Sequence, residues 1–234
     1  MKEIFSGNGD IEKTAYMNWR TQRFDHIHNM IVIAEGFSDS SLFLVKETLK
    51  DNRDKKADNL IFPILFNANH GIEVYLKAIC WTQNQLLDKK DQFPPNHDLK
   101  TLFDNVVKLE NELNSGSKAV FHEMLSQLQA YIHELYGKIE RTIIKKGKEK
   151  PIHDITFCRY PLNKDLNNDN LVPQFYINTF DNVVVDLENF LSVFKSIFDN
   201  LDSLSMHYLS LLEGKQEYEY EYEYEAHQNK SEYL

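Results

Sequence analysis

The chain has 234 residues, of which 42% are hydrophobic and 26% are charged, and this length allows a sizeable buried core. Only 8 glycines and 6 prolines stand against 15 phenylalanines and 12 tyrosines, which favours long helices over a strand-rich sandwich. The net charge of −10 argues against a general affinity for nucleic-acid phosphates, although a local basic site remains compatible with it.

Several familiar signals are absent from the sequence. The two cysteines, Cys80 and Cys158, lie far apart without CxxC spacing, which is typical of free thiols in a reducing cytosol. The N-terminus lacks the apolar core of a signal peptide, and no run reaches the roughly 18 apolar residues of a membrane span. No phosphate-binding glycine loop and no HExxH motif occur. We therefore expect a cytoplasmic protein that binds no membrane, no cofactor and no metal.

Apolar residues at steps of three and four predict a first helix from Ile11 to about residue 52. The residues before it are expected to form a loose leader, and Asp10 is a suitable N-cap. Gly36, which small polar residues follow, is expected to break or kink this helix.

Three more helices are predicted in the middle of the chain. A central, strongly apolar helix runs from about residue 58 into the eighties, and the proline pair Pro94-Pro95 excludes a helix from the loop after it. A third helix begins at Asp98, and a fourth spans roughly 118–143. The stretch 141–151 is concentrated in cations, and it is either a solvated loop or an arm that contacts phosphates.

The C-terminal part is predicted to contain a hairpin and one long helix. Short β-branched and aromatic runs on either side of turn residues predict a two-stranded hairpin at about 154–177. An unbroken apolar seam predicts a last helix over 179–212, and Gly214 is expected to stop it.

The predicted fold class is mainly all-α, a long-helix bundle with a small β-hairpin inserted before the last helix. Residues 1–213 are expected to form a single helical domain, and 214–234 an acidic tail of low complexity. Strict Glu/Tyr alternation in the tail fits a solvated, disordered segment or a strand. A segment that docks on a basic groove is the alternative.

A polar stripe crosses the otherwise apolar central helix. Asn67, His70, Glu73 and Lys77 are three, three and four residues apart, so they lie on one helix face. Buried charge without a partner is costly, so these side chains must either tie the helix to its neighbours or line a pocket.

Two other segments supply candidate partners for this stripe. His97 stands just before the third helix, and Asp98 is placed to cap it. On the predicted hairpin strand, side chains alternate between the two faces, so Arg159 lies on the face opposite Cys158 and Tyr160. Its guanidinium needs a carboxylate or phosphate partner, which Glu73, Asp98 or an external anion could supply. The predicted binding groove consists of His70, Glu73, Lys77, His97, Asp98 and Arg159.

The runs NANHGIEVYLKAI, NHDLKTLF and RYP resemble segments of the HEPN superfamily (higher eukaryotes and prokaryotes nucleotide-binding). Glu73 to Ala78 resembles the Glu-hydrophobic-hydrophobic-Leu-Lys-Ala helix core of that family, and His97 to Leu99 its His-Asp-Leu helix start. The resemblance covers roughly residues 57–212. It implies an all-α bundle that commonly forms a homodimer, of bacterial or phage origin. It also implies a role in host–phage conflict, such as abortive infection or antiviral defence, or in RNA metabolism.

Many HEPN domains are ribonucleases whose signature is an Arg and a His with four to six residues between them, near the start of the last core helix. The predicted last helix of this chain has no Arg, and Arg23 with His28 matches the spacing instead. We therefore expect an RNA-, nucleotide- or protein-binding HEPN-like protein without a standard catalytic motif. The alternatives are a metal-independent endoribonuclease and a purely structural dimerisation module. The RNA-contact candidates are Arg141, Lys145, Lys146 and Lys148.

Overall fold

The chain is built mainly of α-helices, as predicted. The computed structural model describes residues 3–90, 92–145, 148–153, 155–160, 162–164, 171–173 and 183–231. The helices within these residues are α1 (His26–Lys50), α2 (Ala57–Leu86), α3 (Leu99–Leu113), α4 (Lys118–Ile139) and α5 (Leu187–Ser231). None of the described helices is long and apolar enough to cross a membrane.

Helix α2 lies at the centre of the bundle, where it packs on α1, α3 and α5. Its apolar residues cover most of its circumference, which is the pattern of a helix buried on nearly all sides. Pro63 lies in the second turn of α2, one turn later than expected. Fully buried α2 side chains include Ile64, Ile72, Leu76 and Ile79.

Helix α1 begins much later than predicted, and it has no break. Residues 14–25 are not helical, and Asp10 instead caps a short 3-10 turn, Ile11–Lys13. The cap of α1 is Asp25, whose carboxylate accepts a hydrogen bond from the backbone N–H of His28 at 2.9 Å. The helix continues through Gly36 because tertiary packing on α2 outweighs the low helix propensity of one glycine.

Helices α3 and α4 follow the prediction closely. Asp98 caps α3 and accepts a hydrogen bond from the N–H of Thr101 at 2.6 Å. Asn114 ends α3 in the left-handed conformation. Helix α4 ends at Ile139, a few residues before the predicted end, because the β-branched run after it favours an extended chain.

The segment between α4 and α5 differs from the predicted hairpin. Strand β1 (Glu140–Lys145) pairs antiparallel with β2 (Lys148–His153), so the basic stretch predicted as a loop is extended and paired. The predicted strand that began at 154 is not seen, because Ile155–Cys158 form a 3-10 turn. A short antiparallel pair, β3 (Leu162–Lys164) with β4 (Leu171–Pro173), follows.

The last helix is longer than predicted at its C-terminal end. Asp186 caps α5 by accepting hydrogen bonds from the N–H groups of Glu188 and Asn189, both at 3.0 Å. The expected start at 179 lies outside the described residues, but the helix begins only at Leu187, so the prediction of helix over 183–186 is wrong. Gly214 does not stop the helix, which continues to Ser231, so the expected disordered or extended tail is helical up to that residue. The division into a domain and a tail at residue 214 stays a prediction.

Candidate functional site

Three basic side chains converge on the carboxylate of Glu73. Glu73 lies in the middle of α2 and is only 4% exposed. Lys77, one turn further along α2, donates a hydrogen bond to Glu73 Oε1 at 2.7 Å. His97 Nδ1 lies 2.9 Å from the same oxygen, and His70 Nδ1 lies 3.7 Å from Oε2. The structure thus joins the predicted stripe to the predicted His97 segment.

The Glu73 carboxylate is held in its ionised form. Burial alone would raise the pKa of Glu73, but hydrogen bonds from His70, Lys77 and His97 together outweigh burial and lower the pKa to about 2. A group with this pKa carries no proton near neutral pH. Glu73 is therefore suited to orienting the three basic groups and unsuited to general-acid chemistry.

The Glu73 cluster is closed at its base and open at its edge. The side chain of Lys77 is 12% exposed, that of His70 is 33% exposed, and that of His97 is 75% exposed. Glu73 and Lys77 form a largely buried ion pair, while His97 and part of His70 remain available to a ligand.

Arg159 joins this cluster through an aromatic ring. Its guanidinium carbon lies 5.6 Å from the ring centre of Phe66, and the side chain is exposed. The Phe66 ring stacks on His70 at 5.7 Å with an interplanar angle of 6°, and Phe37 of α1 meets His70 edge-on at 4.4 Å. The contact with Phe66 is a cation–π geometry, in which the charge of Arg159 stays open to solvent.

Asp98 caps the N-terminus of α3. Its carboxylate accepts the capping hydrogen bond from Thr101 and also raises the pKa of the neighbouring Tyr136, together with the larger effect of burial. Of the two adjacent predicted residues, His97 therefore belongs to the Glu73 cluster, and Asp98 has a capping role.

A second aromatic cluster, which the sequence analysis missed, lies further along α2. The exposed ring of His26 stacks on Trp81 at 6.2 Å, and Trp81 meets Phe93 edge-on at 5.9 Å. The Lys77 ammonium lies 5.5 Å from the ring centre of Phe93 and so connects this cluster to Glu73. Spacing alone could have revealed Trp81, which follows Lys77 by four residues, just as Phe66 precedes His70 by four.

These contacts define one continuous surface, which we call the α2 strip: Phe66, His70, Glu73, Lys77 and Trp81. At 100° per residue these five positions fall within about 80° of the helix circumference, and at 1.5 Å per residue they extend over about 22 Å. Helix α1 borders the strip on one side, since it runs antiparallel to α2 with His26 at Trp81 and Phe37 at His70.

The remaining candidate residues lie elsewhere. Arg23 precedes α1, and its guanidinium carbon lies 5.3 Å from the ring centre of Phe24. His28 is in the first turn of α1, with Nε2 3.1 Å from the carbonyl oxygen of Arg20. The predicted first helix would have carried both Arg23 and His28. In the structure only His28 lies on α1, because Arg23 precedes the start of that helix. Arg141, Lys145 and Lys148 lie on β1 and β2, and Lys146 falls outside the described residues.

Neither cysteine is suited to nucleophilic chemistry. Cys80 and Cys158 are both free and buried, and burial raises the pKa of each thiol to about 12. In the part of the chain that the structure describes, no group of three or more His, Cys, Asp or Glu side chains is arranged to hold a metal ion.

Comparison of the chain with protein-family models, with curated proteins and with solved structures finds no match. The resemblance to the HEPN superfamily therefore rests on its short motifs alone, and so do the functions that this resemblance implies.

Proposed function

We propose that the protein is a HEPN-like binding protein that holds single-stranded RNA or a nucleotide along the α2 strip without cleaving it. The observation that carries the proposal is the alternation of aromatic rings and basic groups on one face of α2. Phe66 and Trp81 lie towards its two ends, with the basic groups on Glu73 between them.

The chemistry of the strip suits an unpaired nucleotide. Aromatic rings stack on bases of any sequence, and neighbouring cations attract the phosphates. Of the basic groups around Glu73 and Phe66, Arg159 and His97 are exposed, whereas Lys77 is largely buried. The charge of Lys77 is paired with Glu73, so the role of Lys77 is to hold Glu73 and Phe93 in place.

The Glu73 network adds preorganisation. A carboxylate that binds His70, Lys77 and His97 restricts the rotamers of all three side chains before any ligand arrives. Less conformational entropy is then lost on binding, which favours affinity. The setting we propose, a cytoplasmic homodimer in phage defence or RNA metabolism, is taken from the resemblance.

The test is the binding of a short labelled single-stranded RNA, followed by fluorescence anisotropy at low salt in the presence of EDTA. We expect Arg159→Ala to raise Kd by about tenfold, which corresponds to ~1.4 kcal/mol, and His97→Ala to raise it by a smaller factor. The matched control is Arg53→Ala, because Arg53 is also a surface arginine, 90% exposed and paired with Asp51. It should leave Kd unchanged.

The length of the RNA after incubation separates binding from catalysis. Intact RNA with bound wild-type protein supports a binding protein. Cleavage that His28→Ala or Arg23→Ala abolishes would instead favour the endoribonuclease alternative. The proposal is abandoned if wild-type protein binds no RNA or nucleotide, or if Arg53→Ala weakens binding as much as Arg159→Ala does. A triple variant of Arg141, Lys145 and Lys148 tests the predicted contacts on β1 and β2 in the same assay.

A further inference from the structure

Helix α5 continues well past Lys215, where it is anchored to the bundle. At Lys215 the ammonium group donates hydrogen bonds to the carbonyl oxygens of Gln85 and Leu86, at 3.3 and 3.2 Å, at the end of α2. Sixteen more helical residues follow, to Ser231, a length of about 24 Å. The first tyrosines beyond the anchor are largely open to solvent: Tyr218 is 70% exposed, Tyr220 73% and Tyr222 67%.

This acidic extension (residues 216–231) is a poor helix by itself. It has five glutamates between 216 and 225 and no Lys or Arg among them. Glu217, Glu221 and Glu225 are four residues apart, where like charges on a helix repel one another. An isolated helix of this length is marginal in water, so a cationic surface beside it would stabilise it.

The chain itself carries a segment of opposite charge. Strands β1 and β2 contain Arg141, Lys145, Lys148 and Lys150 against two glutamates. The protein has a net charge of −10, and within it these two strands form a segment in which basic residues are concentrated.

The basic strands and the acidic extension lie at opposite ends of α5. Helix α4 runs antiparallel to α5, since Tyr131 packs on Phe194 at 4.6 Å and Asn200 donates to the carbonyl of Met124 at 2.9 Å. The end of α4, where β1 begins, is therefore level with the start of α5. Glu217 lies about 45 Å further along α5. A six-residue strand spans only about 20 Å, so the two elements cannot meet within one chain.

We infer that the acidic extension of α5 docks on strands β1 and β2 of a second copy of this chain, an interface that rests on the homodimer of the proposed function. Charge complementarity selects this occupant, and the separation along α5 requires that the contact be intermolecular. Two copies with antiparallel α5 helices would make the contact twice, once for each extension, which gives a closed twofold dimer. The pairing depends on attraction between opposite charges, so it should weaken as salt increases.

The experiment is sedimentation velocity of the full chain at low and high salt. We expect wild-type dimers at low salt, and dimers about tenfold weaker for Glu217→Lys/Glu221→Lys/Glu225→Lys, because each exposed pair contributes only a small share. Arg141→Glu/Lys145→Glu/Lys148→Glu should weaken the dimer similarly. Combining the two triple variants should restore dimers, because the charges are then exchanged.

The control has the same change in charge at other surface glutamates, Glu12→Lys/Glu35→Lys/Glu123→Lys, and it should dimerise like the wild type. Far-ultraviolet circular dichroism establishes that each variant is folded. A monomeric wild type, triple variants that dimerise as tightly as the wild type, or a combined variant that dimerises no more tightly than either triple variant would each overturn the inference.

Discussion

At the scale of single residues, Glu73 decides the character of the candidate site. A buried carboxylate surrounded by three basic groups fixes their positions and stays ionised. The sequence spacing predicted that His70, Glu73 and Lys77 share a face. The sequence offered His97 as a candidate partner of this stripe, but its contact with Glu73 depends on how the loop before α3 folds back on α2.

Replacing Glu73 by Gln should destabilise the protein by about 3 kcal/mol, because the buried Lys77 ammonium would lose its counter-charge. His97→Ala should cost less than about 1 kcal/mol, since the His97 side chain is largely exposed. Urea denaturation followed by circular dichroism measures both. A loss for Glu73→Gln no larger than for His97→Ala would contradict the buried ion pair.

The stability that Glu73 contributes should depend on pH in a defined direction. The pKa of Glu73 falls from its ordinary 4.5 to about 2 on folding, so its stabilising effect is complete above 4.5. It is lost as pH falls from about 4.5 towards 2. The stability difference between wild type and Glu73→Gln should therefore shrink over this interval. A stability difference that stays constant over this interval would contradict the lowered pKa of Glu73.

At the scale of elements, the contact between α1 and α2 depends on a glycine. A Cβ atom at Gly71 would lie 2.7 Å from Ser38 Oγ and 3.3 Å from the Ser38 backbone nitrogen. The Ser41 hydroxyl donates to the carbonyl of Ile64 across the same interface at 3.1 Å. This close approach brings Phe37 to His70, so the glycine contributes indirectly to one border of the α2 strip.

Two glycine-to-alanine substitutions should therefore have opposite signs. Gly71→Ala should lower stability by about 1–3 kcal/mol through overpacking, in spite of the better helix propensity of alanine. At Gly36 a Cβ would meet nothing within 4 Å, so Gly36→Ala should raise stability by about 0.5–1 kcal/mol. Thermal unfolding monitored by circular dichroism compares them. Stabilisation by Gly71→Ala would show that the helices can move apart without cost.

At the scale of the whole molecule, Lys215 joins the end of α2 to the last helix. Besides the two carbonyls at the end of α2, its ammonium group contacts Asp88 at 2.5 Å. These carbonyls lie in the last turn of α2, and a cation at a helix C-terminus is favourable. This anchor gives a physical reason why Gly214 does not end α5.

Lys215→Met should loosen α5 beyond the anchor. We expect faster amide hydrogen exchange in residues 216–231 and a loss of about 1 kcal/mol in stability. Lys195→Met is the matched control, because Lys195 pairs with Asp199 on the exposed surface of the same helix, and this variant should leave exchange unchanged. Equal exchange rates in the two variants would mean that the extension is held by other contacts.

The sequence by itself determined the features that depend on neighbours along the chain. Helical periodicity located α2, α3 and α4, an Asp before an apolar run marked the cap of α3, and spacing placed the polar stripe on one face. These signals are local, since hydrogen-bonding and side-chain registers within a helix depend on positions three and four residues apart.

Only the tertiary structure decided which distant residues meet. The start of α1 at His26 and the continuation of α5 past Gly214 depend on packing and anchors that local propensity does not contain. The stacking of His26 on Trp81 depends on the antiparallel pairing of α1 and α2, and the position of Arg159 over Phe66 on the fold after α4. Contacts between residues tens of positions apart follow from burial of the whole core, so no local pattern encodes them.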